Sequence, residues 1–179
     1  MARLSKFDKG SRPILSPKEA SIKAEAWCAY QERSEFEVRR KLLSWGINVD
    51  DSDVILTHLI NEKFIDEQRF ASAFASGKFR IKKWGKNKVR AQLYGKKVPK
   101  NLIAMALDEV DDDAYRTTLL ELAEKKLAGM RETDKMKRKA KLMRFLVGKG
   151  YEMELVVGVV KKIGSAQLTV SGLNNRLPK

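Results

Sequence analysis

The sequence predicts an all-α fold, an elongated tandem array of three three-helix repeats, and three observations carry that expectation. Helix-start chemistry recurs along the chain: Ser16-Pro17-Lys18-Glu19 and Ser34-Glu35-Phe36-Glu37 each read as a capping box ahead of an apolar run. Apolar residues then return every three or four positions, the period of a helix with one buried face, and no period-2 alternation competes with them. A ten-residue pattern also comes back twice at intervals of about 50 residues, the mark of a repeat architecture.

Order begins at Ser16, after a polar, basic arm over residues 1–15 that holds Gly10 and Pro13. Pro17 at the first helical position opens a helix over 17–32, with Ile22, Ala26, Trp27 and Tyr30 on one side. The second box opens a helix carrying Val38, Leu42 and Trp45, with Gly46 where a C-terminal stop belongs. A third helix follows the turn Asp50-Asp51-Ser52-Asp53, whose carboxylates suit the positive end of the helix dipole, and faces Ile55, Leu56, Leu59 and Ile60 inward. Asp66 caps the fourth. Ile65 and Phe70 then occupy the two positions of a hydrophobic staple, and Phe70, Ala73, Phe74, Gly77 and Ile81 make a buried stripe reaching residue 83.

Trp84-Gly85 interrupts that helix, a short one spans 86–95, and another follows Pro99 with Leu102, Ile103, Ala106, Leu107 and Val110. After Asp111-Asp112-Asp113 come helices to residue 128, over 134–148 and over 152–163. The run at 155–160 is short and rich in β-branched residues, which suits a strand, but its place after a helix and in the repeat assigns it to a helix. Residues 164–179, with Gly164, Gly172 and Asn174-Asn175, read as a flexible tail.

The repeat aligns Val38, Leu42 and Ile47 with Val89, Leu93 and Val98, 51 residues on, and with Leu142, Leu146 and Tyr151, 53 residues further. The residue before the last apolar position is Gly46, Lys97 or Gly150. Units of this size hold little core alone and stabilise one another by stacking. The expected repeats are 16–64, 65–110 and 111–163.

The chain has 37 Lys and Arg against 23 Asp and Glu, a formal charge of +14 on 179 residues. That charge is concentrated. Lys78, Arg80, Lys82, Lys83, Lys86, Lys88, Arg90, Lys96, Lys97 and Lys100 follow one another with no acid between, and Lys135, Lys137, Arg138, Lys139, Lys141 and Arg144 form a second cluster. An acid-free run lacks the i, i+4 ion pairs of a merely solvated helix and points to a polyanion. On the short helix, Lys86 and Arg90 share one face while Val89 and Leu93 share another. The first repeat's Arg39, Arg40 and Lys41 are diluted by Glu35 and Glu37, so the later repeats should carry most of the contact. Phe79, Trp84 and Tyr94 interleave with the cations, and helical spacing makes core aromatics a better reading than base-stacking platforms.

One Cys and one His exclude a disulfide framework, a multi-Cys/His zinc site and a CxxC pair; Cys28 reads as a buried apolar residue and His58 as a helix-surface one. No GxxxxGK[ST] loop or GxGxxG turn is present, and the carboxylates cluster where capping explains them. No cofactor, metal or enzymatic activity is expected. Neither a spanning apolar segment nor a signal h-region appears, so the expectation is a cytoplasmic, monomeric protein without a membrane partner.

Three segments resemble the RecX family of bacterial RecA regulators: 34–42, with Ser34, Glu37, Arg39, Lys41 and Leu42; 64–71, with Asp66, Arg69, Phe70 and Ala71; and 84–93, with Gly85, Val89 and Leu93. The likeness covers about residues 18–163, in the family's order and spacing. The turn after Ile47 is about two residues longer than the family pattern, Gly95-Lys96-Lys97-Val98 replaces a Lys-Gly ending, and the third repeat matches most loosely. The resemblance implies three tandem three-helix repeats and no enzymatic activity. It also implies binding in the groove of the RecA nucleoprotein filament, with its single- or double-stranded DNA, and depression of ATPase, strand exchange and coprotease function. Recombination, DNA repair and the SOS response are the processes so implied. The two basic clusters would face the filament's acidic surface, its DNA, or both. A stand-alone, non-specific DNA-binding module is the rival reading.

Overall fold

The structure, a computed structural model, describes residues 15–173. Among them it is all-helical: α1 Pro17–Tyr30, α2 Glu35–Ser44, α3 Val49–Asn61, α4 Glu67–Lys82, α5 Lys86–Gly95, α6 Lys100–Asp108, α7 Asp112–Ala128, α8 Lys135–Lys149 and α9 Met153–Leu173. The run at 155–160 is helical, as its place in the repeat requires. The chain divides after Phe70 into two compact units. The basic arm at 1–14 and the end of the tail at 174–179 lie outside the described residues.

In the first unit α1, α2 and α3 pack on one another around Ala20, Ala24, Cys28, Val38, Leu42, Ile47, Ile55, Leu56, Leu59 and Ile65. Both capping boxes form, with Ser16 and Ser34 accepting from the third helical amide and Glu19 and Glu37 reaching back. The face of α1 differs from the expected one: Ile22 and Tyr30 are exposed, and the stripe turned inward is Ala20, Ala24 and Cys28. Small residues at i, i+4 and i+8 let the helix approach its neighbours closely, which larger side chains there would prevent. Burial pushes the Cys28 thiol up to about 11, consistent with an inert core residue. α3 starts earlier than expected because Asn48 caps it, so Asp50 and Asp51 lie in its first turn; Ile60 is exposed.

Asp66 accepts the amide of Arg69 at 2.9 Å, so α4 starts where predicted, with Ile65 and Phe70 both buried. Arg69 extends to Glu32 and to the carbonyl of Lys63, and Glu67 accepts the amide of Glu35. Burial, with Glu35, Glu37 and Asp66 nearby, raises the Glu67 carboxyl above its ordinary range. Further along α4 the expected stripe is displaced: Ala73 and Ile81 are exposed, while Ala71 and Ala75 are buried and Phe79 is half-buried.

In the second unit, α5 packs on α6, and α7, α8 and α9 pack on one another around Tyr115, Leu119, Ala123, Leu127, Leu142, Leu146, Tyr151, Val156 and Val160. The expected end of the last helix at 163 is corrected: α9 continues to Leu173. Single glycines at 164 and 172 each cost about 1 kcal/mol against alanine, and without a proline that does not terminate a helix.

The sequence repeat has one structural cause. Each second helix ends in a Schellman motif, in which Ile47, Val98 and Tyr151 donate their amides to the carbonyls of Leu42, Leu93 and Leu146 at 3.2, 3.2 and 3.3 Å. The residue before each has a left-handed backbone: Gly46 at φ 85°, Lys97 at 63° and Gly150 at 97°. Only the middle one carries a Cβ. A non-glycine residue in this region is strained by about 1–2 kcal/mol, partly offset by glycine's freedom in the unfolded chain. Replacing Lys97 with Gly should therefore stabilise the protein by about 1 kcal/mol, read as a rise in the urea midpoint at unchanged slope.

Glu67 sets a pH dependence. Its folded pKa lies above the unfolded value, so between the two the folded state holds more protons and stability falls as pH rises. The wild type should lose stability relative to Glu67→Gln from about pH 4 upward, measured by denaturation of both proteins across that range; parallel curves would refute this.

Candidate functional site

The candidate surface is built on α5 and the elements around its first turn. Gly85, the N-cap of α5, offers no side-chain acceptor, so the first amides need partners from elsewhere. They find them at the end of α8. Gly85 donates to the carbonyl of Lys149 at 2.9 Å and Asn87 to that of Gly150 at 3.0 Å, while Lys86 donates its amide to the hydroxyl of Tyr115 at 2.8 Å. Orphan amides of one helix thus meet carbonyls from the end of another, with their dipoles in favourable sense.

The contact is backbone on backbone. A Cβ on Gly85 would lie 2.3 Å from the carbonyl carbon and oxygen of Gly150, and one on Gly150 would lie 2.3 Å from the Cβ of Lys88. Glycine is required on both sides. Tyr115 then closes the seam: its hydroxyl donates to Glu152 at 2.7 Å, and its ring lies 5.6 Å from Phe79 and 5.0 Å from Tyr151. Burial raises the Tyr115 hydroxyl far above the usual phenol range, and it pushes Tyr151 up to about 12.

Several cations expected to face a partner are instead tied into this framework. Lys86 pairs with Asp112 at 3.0 Å and lies over the Tyr115 ring, its side chain only 19% exposed. An acid at the first position of α7 therefore neutralises it. Lys88 reaches the carbonyl of Gly148 at 3.3 Å and lies over Trp84. Lys78 and Lys96 stand apart from these, held beside rings: Lys78 sits 4.9 Å from the Phe74 ring and 5.6 Å from that of Trp84, and Lys96 also lies over Phe74. In the second cluster, Arg138 donates to the carbonyl of Leu127 at 3.1 Å and caps α7, while Lys141 pairs with Glu132 at 2.6 Å. Arg144 bonds its own helix at the carbonyl of Ala140, and Arg90 donates to Asn87.

The rest present their charge outward. Among the described residues Arg80, Lys82, Lys83, Lys97, Lys135, Lys137 and Lys139 form no ion pair, and all except half-buried Lys83 are exposed. No group of three or more His, Cys, Asp or Glu side chains is arranged to hold a metal among the described residues, and none of their helices is long and apolar enough to cross a membrane.

The motif residues occupy architectural positions. Ser34, Glu37 and Asp66 cap helices; Leu42, Phe70, Ala71, Val89 and Leu93 are buried; Gly85 makes the seam. Arg39 binds Glu35 and Asp53, Arg69 binds Glu32, and Lys41 lies over Trp27 and Trp45. Sequence reading missed Asp112, Tyr115 and Glu152 as positioning residues, because each acts on a partner at least 26 residues away.

Residues 66–107 match the family model for the second three-helix domain of RecX, and residues 113–160 match that for the third. The chain is 35% identical over 155 residues to the regulatory protein RecX of Clostridium botulinum strain Eklund 17B, covering 83% of this chain and 72% of the relative. It is 33% identical over 161 residues to the protein of that name from C. botulinum strain Alaska E43, covering 87% and 75%. The crystal structure of RecX from Lactobacillus salivarius matches with a TM-score of 0.74 over 83% of this chain and 96% of that one, at 21% identity, a likeness of fold.

Tyr115→Phe removes the acceptor for the Lys86 amide and the donor to Glu152 together. The loss should be about 1–2 kcal/mol, with hydrogen exchange at the amides of Lys86 and Asn87 accelerated more than at α6.

Proposed function

The chain belongs to the RecX family, and from that premise we propose that it is a negative modulator of RecA: it binds the groove of the RecA–DNA filament and lowers ATP hydrolysis, strand exchange and coprotease activity. The name "regulatory protein" borne by its relatives supports a regulator with no reaction of its own. On this reading the units are 16–64, 65–110 and 111–163, the protein is a cytoplasmic monomer, and recombination, repair and the SOS response are its setting.

The observation that carries the reading is the acid-free segment 78–100, whose Arg80, Lys82, Lys83 and Lys97 form no ion pair among the described residues. Uncompensated charge on helices is suited to a partner whose own surface is a polyanion. Lys135, Lys137 and Lys139 extend the supply on α8. Lys86, Lys88 and Arg138 position these groups rather than meet the partner first.

Added near stoichiometrically, the protein should slow RecA ATP hydrolysis on single-stranded DNA; an unchanged rate would sink the proposal. The same cations favour the rival, a stand-alone non-specific DNA-binding module. Charge reversal at Lys82, Lys83 and Arg90 separates the two. Loss of DNA binding with inhibition intact makes DNA contact secondary, whereas steeply salt-dependent DNA binding without any inhibition supports the rival.

A further inference from the structure

The three repeats share a feature that lies partly outside the two basic clusters. The buried stripes Ala20, Ala24 and Cys28 of α1, Ala71, Ala75 and Phe79 of α4, and Leu119, Ala123 and Leu127 of α7 put these helices in register, as the Schellman motifs do for α2, α5 and α8. In that register four positions correspond: Lys23, Trp27, Lys41 and Trp45 in the first repeat; Phe74, Lys78, Gln92 and Lys96 in the second; Leu122, Lys126, Phe145 and Lys149 in the third. Each quartet joins a first and a second helix, and each has two lysines, at least one aromatic ring and no acid.

In every quartet both lysines lie over a ring. Lys23 is 5.1 Å and Lys41 5.5 Å from the Trp45 centroid, Lys78 and Lys96 are 4.9 and 5.6 Å from that of Phe74, and Lys126 and Lys149 are 5.0 and 5.8 Å from that of Phe145. The ring identity and the helix supplying it change between repeats, yet the arrangement returns. Core packing accounts for the rings, since Trp27, Trp45 and Phe145 lie against the two cores, but not for the lysines, of which Lys23, Lys41 and Lys126 are exposed. Lys23, Lys41, Lys78, Lys126 and Lys149 form no ion pair among the described residues.

A ring that holds an ammonium group brings no anion of its own and restricts the side chain in advance, lowering the ordering cost of meeting an anion. Two such groups beside one ring suit a phosphate and the apolar edge of the sugar or base next to it. We propose that each quartet is a station for the phosphodiester backbone of a nucleic acid, one in every repeat. A carboxylate on a protein surface offers the ammonium groups an anion but brings no sugar or base to the ring, whereas each nucleotide offers both. The proposal deepens the filament reading by assigning the DNA contact, and rests on that reading only for which DNA is met.

The test uses the full chain and a fluorescein-labelled oligothymidylate, with a duplex of equal length as a second arm, and reads anisotropy against salt. Lys23→Gln/Lys41→Gln, Lys78→Gln/Lys96→Gln and Lys126→Gln/Lys149→Gln should each flatten the single-strand log–log salt slope by about 1.4, two contacts at about 0.7 each. The paired Lys→Arg variants should keep the wild-type slope. Lys18→Gln/Lys125→Gln, with the same charge change at positions outside the quartets, should leave it unaltered. An equal loss in that control, or no loss in the quartet variants, overturns the proposal. So does intact DNA binding with lost inhibition of RecA, which assigns the quartets to an acidic protein surface. Failure of the wild type to inhibit RecA, with the slope changes present, defeats the filament reading and leaves this one standing.

Discussion

The end-to-end meeting of α8 with α5 is the constraint on which the second unit depends. A helix that starts at glycine has no side chain to satisfy its first amides, and burying them unpaired costs about 1–3 kcal/mol each. Here the carbonyls of Lys149 and Gly150 and the hydroxyl of Tyr115 supply what a capping serine would. Because the approach is backbone to backbone, the direction of α5 is set by the geometry of peptide groups rather than by side-chain rotamers. The cations of α8 and of the turn after α5 inherit their placement from that seam.

Punctuation explains why the repeat is visible. Leu42, Leu93 and Leu146 are buried, each accepts the closing amide of a Schellman motif, and each is followed by one residue in the left-handed region. A pattern that must satisfy core packing and helix termination together is more constrained than one that satisfies core packing alone. The family motif has the same character, with Ser34, Glu37 and Asp66 at caps, Leu42, Val89 and Leu93 in cores, and Gly85 at the seam. Such a motif chiefly identifies the scaffold; of the groups proposed to meet a partner it includes Lys41 alone.

What was legible in the sequence follows that division. Caps at Ser16, Ser34 and Asp66 are local chemistry, and all three form where the residues place them; Asp111 and Asp134, read only as acids at helix starts, cap α7 and α8 as well. The inward face of α1 was misread because large apolar residues draw attention, yet close packing selected Ala20, Ala24 and Cys28. The length of α9 was misread because glycine was taken as a terminator without a proline to enforce it. The fate of Lys86 depends on Asp112, 26 residues away, and that of Arg138 on the carbonyl of Leu127 in another helix. No helical periodicity encodes those pairings; they exist only once the helices have packed.

The positive charge therefore divides into two populations with different physics. Cations paired internally, such as Lys86 with Asp112 and Lys141 with Glu132, must lose a partner before they can take another, so their exchange for a phosphate gains little. Cations without a carboxylate, whether extended into solvent as Lys135 or held over a ring as Lys126, attract only loosely held counterions that a polyanion displaces. The formal charge of +14 thus overstates the charge available at any one surface. Aromatic rings can hold a cation in place without introducing a competing anion, which a carboxylate partner cannot do.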